Sequence, residues 1–330
     1  MELRAEVVLP GTPLAETVAF FRERLGMRLC SIRPAEAPQV AVVEGRGLRL
    51  RLDAAVTAPA GALRVEAEQS EDVVAPNGTR IELRAPAPMA VPAPTGAVVV
   101  VGAPREQDWT VGRAGMRYRD LIPGRLGGHL VASHICIPED GPVPDDVHFH
   151  DVAAQLIHCV RGRVQLVYED QGAAFELCAG QTVLQPPQIR HRVLSCAGSL
   201  EVVEVTSPAD HLTILDHALA LPTPNLAADR CWSGQRFAVQ QHGADRDLEL
   251  ATDGLVRVTE RQVGRDALEV GAAAHVDLLF ALDGVGALTV GGSVHALATQ
   301  GAATLPPGHV ATVRAEGGAL RLLHVQLATA

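Results

Sequence analysis

The stretch from Gly141 to Ser195 limits what this chain can fold into more than any other. It holds His148-Phe149-His150, then Gln155, Gly162 and Gly180, and a stiff Pro186-Pro187 pair just before His191. On a β-strand, residues i and i+2 share a face, so His148 and His150 present two imidazoles to one point. Gln155 stands at an odd offset from His150 and joins them only if the chain bends in between. Residues 155–160 (QLIHCV) read as a strand, RGR as a tight turn at Gly162, and VQLVYED as the return strand. His191 opens a further strand, HRVLS. Three imidazoles and a carboxamide delivered by strands predict one metal site, with His148, His150, Gln155 and His191 as ligands.

This pattern resembles the cupin superfamily. In that family, Gly, a spacer, HxH, a short gap, Glu, six residues and Gly form a first motif. Gly, five residues, Pro-x-Gly, two residues, His, three residues and Asn form a second. Here Gly141, His148, His150, Gln155 and Gly162 fill the first at the right spacing. Gly180, Pro186, His191 and Ser195 fill the second. The chain departs from the pattern at Gln155 for Glu, Gln188 for Gly and Ser195 for Asn. A neutral ligand at 155 leaves the ion its full charge, which favours Lewis-acid chemistry. Gln155 has a second reading, as a hydrogen-bond support for a ligand histidine.

Length and charge bound the rest. At 330 residues, two or three domains are expected. A net charge of −10, with every basic residue an arginine and no basic run, argues against nucleic acid. No apolar run reaches membrane-spanning length, and the start MELRAEVVLP does not read as a signal peptide, so a cytoplasmic protein is expected. The six cysteines are scattered without a CxxC pair and read as free thiols.

In chain order, residues 1–85 read as strand, helix and several strands, with the helix over 12–26, Thr12 as its N-cap and Gly26 as its stop. The segment resembles one βαβββ module of the glyoxalase/vicinal-oxygen-chelate family. Glu82 stands where that family keeps a metal-binding Glu, but the first strand has no His, so the module is read as non-catalytic. A lone module leaves a sheet edge to cover, which predicts a homodimer. Residues 86–110 are a Pro/Ala-rich linker with a strand at 98–101. Residues 111–206 form the metal-binding barrel. Residues 207–230 read as a connecting helix and loop carrying His211 and His217 away from the metal. Residues 231–330 repeat the barrel in degenerate form. There, His275-x-Asp277 aligns with the HxH, and His309 or Thr312 falls near the third ligand. The fold class is therefore mainly β, two double-stranded β-helix barrels after an α+β module.

Arg190 and Arg192 flank His191 but face away from it on a strand. His129, His134 and His158 read as supporting or surface residues. Cys159 shares a face with Gln155 and reads as a core thiol. Tyr168 and Glu204 are the candidate acid or base, provided they face inward.

The resemblance implies a metal-dependent enzyme acting on a small oxygenated metabolite, with lyase, isomerase or cyclase chemistry on one divalent transition metal. Zinc, iron, nickel and manganese all suit the ligand set. An Fe(II) dioxygenase is one alternative, and a non-enzymatic small-molecule-binding protein is another.

Overall fold

The computed structural model describes residues 5–86, 89–241 and 246–329. The chain divides into two compact units, Met1–Pro88 and Met89–Ala330.

In the first unit, β1 (Val7–Pro10), α1 (Leu14–Glu23), β2 (Arg28–Arg33), β3 (Val40–Gly45) and β4 (Leu48–Asp53) follow one another. The sheet order is β1-β4-β3-β2, with β1 parallel to β4. This is a βαβββ arrangement completed within the first 53 residues. The apolar stripe of α1 drives it: Phe21 and Leu25 are buried, with Leu14 and Val18 beside them, against Val43, Leu50 and Leu52. Thr12 does not cap the helix. The cap position is Pro13, and Thr17 Oγ1 donates back to the Pro13 carbonyl (2.6 Å). Three more strands, β5 (Ala62–Glu66), β6 (Glu71–Val74) and β7 (Arg80–Arg84), form a second sheet in the order β5-β7-β6. With β5 parallel to β7, it repeats the β1-β4-β3 arrangement without helix or fourth strand. Glu82 lies among Arg64 (3.0 Å), Arg80 (3.5 Å) and Arg84 (3.8 Å), as an ion-paired surface carboxylate.

The second unit is built on two long strand pairs. Strand Ala154–Tyr168 pairs with His191–Ser207, and His275–Val290 pairs with Ala311–Ala328. Each closes a jelly-roll barrel. The turn expected at Gly162 is instead a bulge inside one continuous strand, with register shifts between Cys159 and Arg163. Turn and bulge both call for a left-handed glycine, so the sequence does not separate them. Gly162 has φ 73°, and a Cβ there would sit 2.5 Å from the Ala197 carbonyl. Gly284 repeats the device, with φ 84° and 2.4 Å to the Ala319 carbonyl. The bulge also reverses parity. Ile157 and Cys159 face the barrel interior before it, and Val164, Leu166 and Tyr168 after it.

Three apolar layers result. One fills the first barrel, around Ile135, Leu166, Leu177 and Val202. One fills the second, around Leu279, Leu288, Val313 and Leu322. The third lies between the barrels, where Leu130, Leu156 and Val205 meet Phe280, Leu323 and Val325. Each such side chain contributes about 1.5–3 kcal/mol by leaving water. Buried Arg119 adds a polar tie across this layer. It donates to the carbonyls of Gly102 (3.0 Å) and Gln300 and contacts His134 Nδ1 (3.3 Å).

The helix expected within 207–230 is absent among the described residues. That segment contributes the short strand Thr213–Leu215, paired with His148–His150. Pro208 and Pro222 bound it, and a strand there gives His150 a neighbour it needs. Strand Val99–Val101 pairs with Ala302–Leu305 of the second barrel.

Candidate metal centre

Strand His148–His150 and the start of strand His191–Ser207 lie side by side, with His148 opposite His191. Their side chains, with that of His150, offer nitrogen atoms that lie within 4.8 Å of one another. The ring centroids are 4.2 Å apart for His148–His191, 5.1 Å for His148–His150 and 5.3 Å for His150–His191. All three residues are buried.

Every Nδ1 is engaged. His148 Nδ1 donates to the Asp146 carbonyl (2.7 Å) and His191 Nδ1 to the Ile189 carbonyl (3.0 Å), while His150 Nδ1 meets Thr213 Oγ1 (2.9 Å). The two carbonyl partners assign the proton of His148 and His191 to Nδ1 and leave their Nε2 lone pairs for the shared space, and the Thr213 hydroxyl occupies Nδ1 of His150. His148 Nε2 is buried with no hydrogen-bond partner. His191 Nε2 receives only the Gln185 amide (3.3 Å), whose oxygen accepts from Tyr168 Oη (2.7 Å).

Burial, followed by neighbouring positive charge, lowers the pKa of all three. His150 falls to about 3, with His148, His211 and Arg113 adding to the effect of burial. His191 lies well below 6.5 through burial and the two other ligand candidates. His148 is lowered by burial and Arg113. Neutral imidazoles with free lone pairs are what a borderline divalent cation takes as donors. The residues therefore fit a metal ion, and among the described residues no other group of three His, Cys, Asp or Glu side chains does.

The remaining residues named from sequence fall as follows. Gln155 faces the interior and its Nε2 donates to Glu204 Oε1. Glu204 lines the cavities beside His150. Burial raises its pKa against the opposing Gln155 bond. Tyr168 is buried, stacks on His191 (centroids 5.4 Å, interplanar angle 23°) and spends its hydroxyl on Gln185. Arg190 points away, to Asp216 (3.3 Å) and over the Phe149 ring (4.4 Å). Cys159 is a core thiol, pushed up to about 12 by burial. His211 was expected on a remote helix. It instead stands 5.6 Å from His150, ring to ring, and lines the outer cavity.

Sequence reasoning missed Asp145, Gln185, Arg113 and Arg125. Asp145 is buried, accepts from Val193 N (3.0 Å), pairs with Arg113 and lies 3.8 Å from His148 Nδ1. Its signal was a carboxylate three residues before a ligand histidine.

Two cavities meet at the centre. An inner one of about 60 Å³ penetrates the barrel between Met116, Ile135, Val164, Leu166, Leu200 and Val202. An outer one of about 400 Å³ opens past Arg125, Ser133, Thr206 and His211. Arg113, Tyr118, His150 and Glu204 line both.

Among the described residues the second barrel holds no such centre. His275-x-Asp277 does not occupy the place of the HxH. Strand register puts Asp277 on the rung of Gln155, seven residues before the bulge glycine in each barrel. His309 turns to the Pro306 carbonyl (3.2 Å), and the counterpart of His191 is Ala311, not Thr312.

No family model and no curated protein matches this chain. Solved structures do. A variant of oxalate decarboxylase from Bacillus subtilis aligns over 70% of this chain and 77% of its own, with a TM-score of 0.51 and 11% identity. A second structure of that enzyme, from a study of its Mn(II) centres, aligns over the same shares at 0.51 and 12%. Procruciferin, an 11S globulin from Brassica napus, aligns over 70% of this chain and 84% of its own, at 0.53 and 9% identity. At such identity these likenesses establish the fold: this chain carries a pair of cupin-type barrels.

Proposed function

We propose that the first barrel is the active site of a metal-dependent enzyme acting on a small oxygenated metabolite. The observation that carries this reading is the trio of buried imidazoles, each of which offers a ring nitrogen within 4.8 Å of the others beside a cavity. His148, His150 and His191 would hold one divalent ion. Gln155 would add its amide oxygen, since its Nε2 is committed to Glu204. Bound there, the ion supplies Lewis acidity to a substrate oxygen and lowers the energy of charge developing on it.

The other roles belong to the protein's own groups. Glu204 borders both cavities, and its raised pKa brings it nearer neutrality, where a carboxyl group both takes and returns protons. It would accept a proton from the carbon next to a substrate carbonyl and redeliver it, which is isomerase, lyase or cyclase chemistry. Tyr168, through Gln185 and its stack on His191, is a positioning residue. That oxalate decarboxylase has a related fold is in keeping with a small carbonyl substrate. An enzyme and an 11S globulin both share this fold, so the reading rests on the site and not on the fold.

Elemental mass spectrometry on purified protein tests the first step. Wild type should carry about one ion per chain, and His150→Ala far less. An absence of bound ion in wild type, even after reconstitution, would defeat the reading. Solvent deuterium incorporation into 4-methyl-2-oxopentanoate tests the second. It should depend on Glu204, and equal incorporation by Glu204→Gln would remove that residue from the chemistry.

A further inference from the structure

The outer cavity sets two guanidinium groups beside one carboxyl group. The charged or titratable side chains lining it are Arg113, Arg125, Tyr118, His150, His211 and Glu204. Arg113 is tied to Asp145. Among the described residues Arg125 has no hydrogen-bonded or ion-paired partner for its guanidinium. Its backbone nonetheless takes a left-handed conformation, φ 50°, in the irregular turn Arg125–Gly128. A non-glycine residue held there costs free energy that the surrounding fold must offset. The next residue shares the conformation, and the buried Leu126 side chain anchors the turn. The turn therefore holds an uncommitted fork of five donors at the cavity wall.

The inner cavity has the opposite character. Apart from Arg113, Tyr118, His150, Gln185, His191 and Glu204 at its mouth, its walls are aliphatic or thioether side chains. About 60 Å³ of such space accommodates about four to six non-hydrogen atoms, at the 10–15 Å³ that each small probe requires. The metal centre lies where the two cavities join.

We infer that the substrate is a small carboxylic acid with a short apolar side group. Arg125, seconded by Arg113, receives the carboxylate in the outer cavity. The apolar group enters the inner cavity, and the oxygenated carbon between them faces His150 and Glu204. The unpartnered Arg125 guanidinium on the outer wall carries the first half, since a planar guanidinium fork matches a carboxylate with two parallel hydrogen bonds. The aliphatic lining carries the second. The orientation of the middle rests on the metal-centre reading above, whereas the carboxylate contact does not.

Isothermal titration calorimetry tests this with three probes: 4-methyl-2-oxopentanoate, its uncharged amide, and pyruvate, which lacks the side group. Wild-type protein should bind the branched acid at least about tenfold more tightly than either of the others. Arg125→Gln should weaken the acid about tenfold and leave the amide unchanged, because Arg125 supports no other group. Equal affinity for acid and amide, an acid affinity indifferent to Arg125→Gln, or no binding of the branched acid would overturn the inference. Ion content measured on the same samples separates the two readings. Protein that keeps its ion but ignores the carboxylate defeats only this inference. Protein that never holds an ion yet binds the acid through Arg125 defeats only the metal centre.

Discussion

The two barrels share a frame rung for rung but fill it with different chemistry. His191 lies opposite Tyr168, and Ala311 opposite Val290. His148 pairs with His191 as Val270 pairs with Ala311. The His150 carbonyl accepts from Gln188 N (3.0 Å), and the Ala272 carbonyl accepts from Gly308 N (2.9 Å) in the same loop position. All three imidazoles of the first barrel are thus apolar residues in the second. At two matched positions of the paired strands, Gln155 and Glu204 become Asp277 and His324. There His324 Nε2 meets Asp277 Oδ1 at 2.6 Å, and Gln326 donates to the same oxygen (3.1 Å). A polar pair at these two positions is present in both barrels, whereas the three imidazoles beside it stand only in the first. The imidazole trio is therefore what sets the first barrel apart from the second.

Substitutions at matched positions can break that distinction. The largest effect should come from His150→Ala, which removes one of three imidazoles and should weaken ion binding by more than about 100-fold, beyond the 10–100-fold typical of losing only a supporting partner. His324→Ala should leave ion content unchanged. It should instead cost about 2–3 kcal/mol of stability, because it strips a buried carboxylate of a partner. Chemical denaturation and elemental analysis on both variants read this directly. Loss of the ion on His324→Ala would mean that the barrels do not divide the labour in this way.

Acid should act on the buried imidazoles of the first barrel. His134, His148, His150 and His191 all have folded pKa values lowered below 6.5, chiefly by burial. The native state refuses a proton that the unfolded chain accepts below pH 6.5. Stability is therefore fully present above that value and is lost as pH falls toward the folded values, about 3 for His150. Each such group costs up to about 1.4 kcal/mol per pH unit. The metal-free protein should lose at least that much between pH 7.5 and 5.5, by denaturant titration. Stability flat across this window would show that the imidazoles are not held neutral.

The legible part of the site was local. Spacing put His148 and His150 on one face, the proline pair set His191 at a strand start, and the resemblance to the two-part cupin pattern joined the three. What failed was non-local. Gly162 has the same requirement for φ above zero in a turn or a bulge, and only pairing with strand His191–Ser207 decides between them. His275-x-Asp277 imitates HxH by spacing, but register moves Asp277 to the rung of Gln155. Arg113, Arg125, Asp145 and His211 lie outside the long strands or in loops whose course depends on the barrel they cover. No periodicity announces them.

The smallest expected effect concerns how the imidazoles are held. In the first barrel Tyr168 stacks on His191 and fixes Gln185 by a 2.7 Å hydrogen bond, whereas Val290 and Leu305 fill the matched places in the second. Tyr168→Phe keeps the ring and its stacking and deletes only the hydroxyl. It leaves the Gln185 oxygen without its donor in a buried setting, which costs about 1 kcal/mol of stability. If the hydroxyl orients His191 through Gln185, ion affinity should fall as well, by about tenfold. A stability loss with unchanged affinity would place Tyr168 with the framework that the two barrels share. A fall in affinity larger than the stability loss accounts for would place it with the function that only one of them acquired.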